Sequence, residues 1–205
     1  GPLYKASISP AKTVVHVGEK KRFSVVAKDK KGTKLDADFS VAWEITDGAG
    51  EIDDPSKIHI EYHAPEEPCV TNIGCIVSQG DTEVFAETLV TVTAELGGTD
   101  SKGGTAATLG GETTEERRKK GLPGYTYRKA PGELWRSRYD SDRYIIVINN
   151  SHADFIYASK KKSRKLKYIA KLFAKELVLA NFPELSREEV LEKVIELQLY
   201  TEENL

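Results

Sequence analysis

Methionine is missing from all 205 residues, cysteine and tryptophan occur twice each, and aromatic side chains make up only 8%. No apolar run approaches the roughly 18 residues of a membrane span, and no charged-then-apolar signal segment opens the chain. The expectation is therefore no membrane contact and a cytoplasmic location. Gly1-Pro2 at the head of a methionine-free sequence reads as a tag remnant on an excised piece of a longer protein. Cys69 and Cys75 stand six apart with no further thiol near them, too few for a tetrahedral metal site. They are either a small disulfide loop of an oxidising compartment or two buried thiols on strands, and the second reading is preferred. No glycine-rich loop runs into a lysine and a helix; Gly121 to Gly124 leads into aromatics and proline, so no phosphate cradle is expected. Ser151, His152 and Asp154 are the residue types of a nucleophilic triad, but neighbours at a helix start point in different directions. The chain is expected to hold no catalytic residue, no metal and no cofactor.

The charge that is present is unevenly placed. Residues 1–95 carry ten lysines and arginines against sixteen acids, and the remainder carry twenty against sixteen, so a net charge of -2 conceals two halves of opposite sign. Two domains are expected, 1–95 and 122–205, joined by a flexible linker over 96–121 in which Gly97-Gly98, Gly103-Gly104 and Gly110-Gly111 are spaced by small polar residues. Within the linker, Glu115 to Lys120 is a charge run compatible with a helical turn, read as a solvated segment.

The first half shows short alternating runs with turn residues every 8–12 positions, the pattern of an all-β sandwich. Phe23, Val25 and Ala27 line one strand face, and Phe39, Val41, Trp43 and Ile45 line another, with Trp43 central. His59, Glu61 and His63 also share a face. Two imidazoles ~13 Å apart along an extended strand cannot reach one ion, so a metal is not expected there. His16 reads as a surface position.

In the second half, Leu122 to Arg138 is rich in rings and prolines and is expected to pack by its rings. Tyr144 to Ile148 reads as a short central strand, followed by Ser151 as a helix N-cap with Asp154 folding back on it. Leu166, Ile169, Ala170, Phe173, Leu177 and Ala180 recur at helical spacing, with Lys167, Lys171, Lys175 and Glu176 elsewhere on the circumference. Asn181-Phe182-Pro183 ends that helix. Ser186 to Glu189 forms a capping box for a last amphipathic helix carrying Val190, Leu191, Val194, Ile195 and Leu197. The fold class is thus multidomain: a sandwich, a Gly-rich linker, and a small α/β or mostly α domain with two long helices.

Two resemblances join these readings. Ile8-Ser-Pro, Val17-Gly18, Val41-Ala-Trp43-Glu-Ile, Gly50-Glu-Ile52 and Tyr62-His-Ala64-Pro65 are similar to bacterial immunoglobulin-like domains over about ninety residues, which implies a spacer or binding sandwich. Cys69 and Cys75 depart from that family's inter-sheet bridge. Ala130-Pro-Gly-Glu-Leu-Trp135-Arg-Ser-Arg, Ile146-Val-Ile-Asn-Asn150-Ser-His152 and Tyr168-Ile-Ala-Lys-Leu-Phe-Ala-Lys-Glu176-Leu resemble the C-terminal region of GHKL-type ATPases, the gyrase, MutL and MORC-like group. That resemblance implies a parent with an upstream ATPase domain using ATP and magnesium, and a tail that couples or dimerises protomers. The ATP motifs themselves are not matched: Glu176-Leu-Val-Leu-Ala180 lacks the asparagine at its place, and Asp47-Gly-Ala-Gly50 lies in the wrong domain.

Three functions follow. The first is a non-catalytic coupling, dimerisation or partner-binding region that forms a homo-oligomer through Val190, Leu191, Val194, Ile195 and Leu197. The second is a DNA-binding module using Arg136, Arg138, Lys160, Lys161, Lys162, Arg164, Lys165 and Lys167. The third is a surface adhesin built on the immunoglobulin-like domain.

Overall fold

A computed structural model describes residues 1–97 and 121–203. The predicted linker, with its Glu115 to Lys120 run, lies almost wholly outside the described residues. The chain divides into two compact units, Gly1–Thr93 and Ala94–Leu205.

The first unit is built from eight strands: β1 (Lys5–Ser9), β2 (Lys12–His16), β3 (Lys20–Lys28), β4 (Ser40–Asp47), β5 (Glu51–Ile52), β6 (His59–His63), β7 (Cys69–Gln79) and β8 (Thr82–Thr93). They form two four-stranded sheets, ordered β1-β3-β6-β5 and β2-β8-β7-β4. All pairs are antiparallel except β2 with β8, which run parallel. With the first strand divided between sheets, this is the strand order of an immunoglobulin-like sandwich. Alternation does the sorting: Phe23, Val25, Ala27, Val41, Trp43, Ile60, Tyr62, Ile73, Cys75 and Val77 all point into one core. Trp43 stands opposite Cys75 in the β4–β7 register and donates its indole N–H to Lys57 O at 2.8 Å. Tyr62 passes its hydroxyl to Ala49 O at 2.6 Å, and Gly50, at φ 119, lies against the Tyr62 ring where a Cβ would collide.

The two cysteines are free, Cys75 buried and Cys69 half-buried. Both lie on β7 six residues apart, hence ~20 Å along an extended strand and far beyond the reach of a disulfide.

The second unit carries β9 (Gly124–Arg128), β10 (Ser137–Asp140) and β11 (Ile145–Asn149), then α1 (Ala153–Ala158), α2 (Lys162–Asn181) and α3 (Arg187–Glu203). The sheet is ordered β10-β11-β9, with β11 antiparallel to β10 and parallel to β9. Ile146 and Ile148 of β11 align with Tyr125 and Tyr127 of β9, and against this face pack Phe155, Ile169, Leu172 and Phe173. Edge-on ring contacts knit it together: Tyr125 with Phe173 at 5.9 Å and Tyr127 with Phe155 at 5.0 Å.

Several local expectations are corrected. The sequence predicts one strand here; there are three, because Tyr125, Tyr127 and Ser137 to Asp140 pair with β11 rather than pack as loops. The central strand starts at Ile145, one residue late, since Tyr144 takes φ 58 in the preceding turn. The N-cap of α1 is His152, not Ser151: His152 Nδ1 accepts from the Asp154 N–H at 3.0 Å. Ser151 instead accepts from the Ala130 N–H at 3.2 Å, and Asp154 turns to Arg136. Leu172, Ala174 and Val178 join the buried face of α2, whereas Ala180 is exposed and Leu177 half-buried. The Ser186–Glu189 capping box is present, with reciprocal bonds of 3.4 and 3.3 Å.

Candidate functional site

The second unit concentrates the unusual chemistry. From Phe155 to Lys175 the sequence has eight cations and no acid. The start of α2 falls inside this stretch, with Lys161 as an N-cap that makes no side-chain bond and no acid in the first turn. Cations at that end oppose the helix dipole, a cost of some tenths of a kcal/mol each.

The eight residues predicted to meet DNA divide by environment. Arg136 Nε bonds Asp154 at 2.7 Å, and that bond, more than Coulomb attraction, holds the carboxyl below the usual range. Arg138 lies 4.5 Å over the Trp135 ring. Arg164 covers Tyr157 at 4.2 Å and donates to its carbonyl at 3.3 Å. Lys165 sits over Tyr127 and Phe155 at 5.2 and 5.6 Å. Lys160, Lys161, Lys162 and Lys167 are exposed and, with Lys171, pair with no acid among the described residues. Arg128, Lys129, Glu133, Trp135 and Arg138 also line a shallow cleft of about 270 Å³.

The predicted dimer residues divide as well. Helices α2 and α3 pack on one another. Val190, Val194 and Leu197 are half-buried, while Leu191 and Ile195 are 64% and 54% exposed, joined at the same four-residue spacing by Leu199 at 62%. The predicted stripe is therefore two faces, one packed and one outward.

Sequence reasoning missed a buried polar cluster. Glu176 was placed on the helix circumference, yet it is 6% exposed and accepts from the Ser137 hydroxyl at 2.7 Å. Lys175 Nζ reaches Ser137 Oγ at 3.0 Å, Ser137 O at 3.2 Å and Glu176 Oε1 at 2.9 Å. A serine beside a lysine is a nucleophile pairing in some hydrolases, but here hydroxyl, ammonium and carboxylate are spent on one another. They tie α2 to strand β10. The Lys175-Glu176 pair beside Ser137, the first residue of an edge strand, has no periodic signature in sequence.

No known family model matches the chain, and no curated protein matches it either. Among solved structures it is similar to S-layer protein SbsC domains 4 and 5, at 22% identity over 45% of this chain and 46% of that one, TM-score 0.32. It is also similar to the D0-D1 domain of intimin, at 10% identity over 43% of this chain and 48% of that one, TM-score 0.31. A third is the N-terminal four Ig domains of Dscam1 isoform 6.9, at 15% identity over 42% and 20%, TM-score 0.30. The chain spans less than half the length of each.

In the sandwich, the alternating trio does not converge. His63 Nε2 meets Glu61 Oε1 at 3.2 Å, whereas His59 Nδ1 turns to Ser24 Oγ at 2.8 Å. Ser151, His152 and Asp154 likewise do not form a relay, because their polar atoms are bound to backbone groups and to Arg136. No described helix is long and apolar enough to cross a membrane.

Proposed function

We propose that this chain is a non-catalytic partner-binding region, the cytoplasmic coupling and dimerisation part of a GHKL-type ATPase. The sandwich serves as spacer, and the α/β unit pairs two copies through α3. The observation that carries this is the outward row of Leu191, Ile195 and Leu199 on a helix whose other apolar face is already packed. The sequence likeness of residues 122–205 to the tails of such ATPases supports it. The row offers well under the ~800 Å² per partner of a standard interface, so pairing is expected to be concentration-dependent rather than obligate.

Glu188, Glu192 and Glu196 follow the same four-residue spacing one position along, and with only Glu196 paired among the described residues, to Lys193 at 3.3 Å, each copy brings a net acidic border to the other. Added salt should therefore strengthen self-association by screening that repulsion. Light scattering over a concentration series should show mass rising from monomer towards dimer, more steeply at high salt. Ile195→Glu, an exposed position that leaves the core untouched, should hold the chain monomeric. A wild-type monomer at millimolar concentration would remove the reading, and so would saturable micromolar binding of ATP and magnesium by calorimetry.

A further inference from the structure

We infer that the outward face of α2 is a seat for the phosphate backbone of a nucleic acid duplex. The chain as a whole is slightly acidic, but residues 121–175 hold thirteen cations and four acids, and the following thirty residues reverse the balance with two against eight. The two acids that bracket the basic stretch are both occupied: Asp154 by Arg136, and Glu176 by Ser137 and Lys175. Neither neutralises the exposed lysines.

Along α2, Arg164, Lys167 and Lys171 follow spacings of three and four and so fall within one wedge of the helix, while Lys175, next in the series, is held by Ser137 and Glu176. At ~1.5 Å per residue, successive members are ~4.5–6 Å apart, so each can meet a different phosphate of a strand that carries one charge per ~3.4 Å of axis. Lys160 and Lys161 precede the helix and Lys162 opens it, and all three are exposed. Ile169 and Phe173, on the opposite side, are buried in the core, so the basic wedge faces solvent. Arg164 is already oriented by its stack on Tyr157, which lowers the ordering cost of a contact. An anionic membrane is the less suitable occupant. It would favour a broad apolar wedge beside the cations, whereas the exposed apolar residues near them are Ile156 and Tyr157, the latter overlaid by Arg164 and Lys160, and Leu179 lies at the far end of α2.

Fluorescence anisotropy of the whole chain with a labelled duplex tests this. If about four phosphates are neutralised, affinity should fall on the order of 100-fold between 50 and 200 mM salt, for any base sequence. Lys167→Ala with Lys171→Ala, which favours the helix intrinsically, should lower the log–log salt slope by about 1.8 while circular dichroism is unchanged. A second variant with Lys160, Lys161 and Lys162 all changed to Ala should weaken binding further. Absence of binding at 50 mM salt overturns the inference. So does salt-independent affinity, unchanged affinity in both variants, or stronger binding to phosphatidylserine vesicles than to duplex.

Discussion

Cys75 lies fully buried across from Trp43, and burial pushes its thiol up to about 11 from an ordinary 9. A raised thiol value means the folded chain holds that proton through a range in which the unfolded chain loses it. Stability is therefore full below pH ~9 and is lost as pH rises from there through 11. Urea midpoints measured between pH 8 and 11 should fall over that window, and less so in Cys75→Ala. Cys69 is half-buried with its sulfur 3.4 Å from Thr71 Oγ1, so a thiol reagent should modify it first and reach Cys75 only on unfolding. Two thiols reacting at one rate in the native chain would contradict the buried position of Cys75. Trp43 is readable from alternation alone, because a period of two assigns an inward face without knowledge of the partner strand, whereas Cys75 is read only as one of two buried thiols on strands. Glu176 is not readable, since burial of a charged residue depends on a serine thirty-nine positions away.

Strand β10 is held to α2 by three polar contacts at Ser137, two through its hydroxyl and one through its carbonyl, rather than by apolar packing alone. Ser137→Ala should cost about 1–3 kcal/mol, because the buried Glu176 carboxylate loses its hydroxyl donor while Lys175 remains. Chemical denaturation followed by Trp135, next to β10, would report it; a change below 0.5 kcal/mol would mean that solvent or Lys175 replaces the bond. Elements with their own local code were legible: α2 by its three-and-four spacing, α3 by the Ser186–Glu189 box, β11 by its unbroken branched run. β9 and β10 were not, because Gly-Tyr-Thr-Tyr-Arg and Ser-Arg-Tyr-Asp are short, polar on one side, and become strands only through β11 between them. The same limit shaped the binding residues. The lysine row could be counted in sequence, but that Arg136 is drawn off by Asp154, and Lys165 by two rings, required the sheet to be in place.

Each unit has its own hydrophobic cluster and one of the two tryptophans, Trp43 in the first and Trp135 in the second. Trp43 fills the sandwich interior at 4% exposure, whereas Trp135 is half-buried beneath Arg138. Trp43→Ala should therefore remove about 3–5 kcal/mol from the first unit alone. For a unit of this size, that corresponds to a fall of roughly 15–30 °C in its melting temperature. In the variant the remaining fluorescence comes from Trp135, so the emission change should keep the wild-type midpoint of the second unit while the β-sheet circular dichroism melts earlier. In Trp135→Phe, conversely, emission follows Trp43 and the sandwich. Coincident shifts of both signals in Trp43→Ala would mean that the units unfold as one cooperative body. The sandwich would then be coupled to the α/β unit rather than serve as an independent spacer for it.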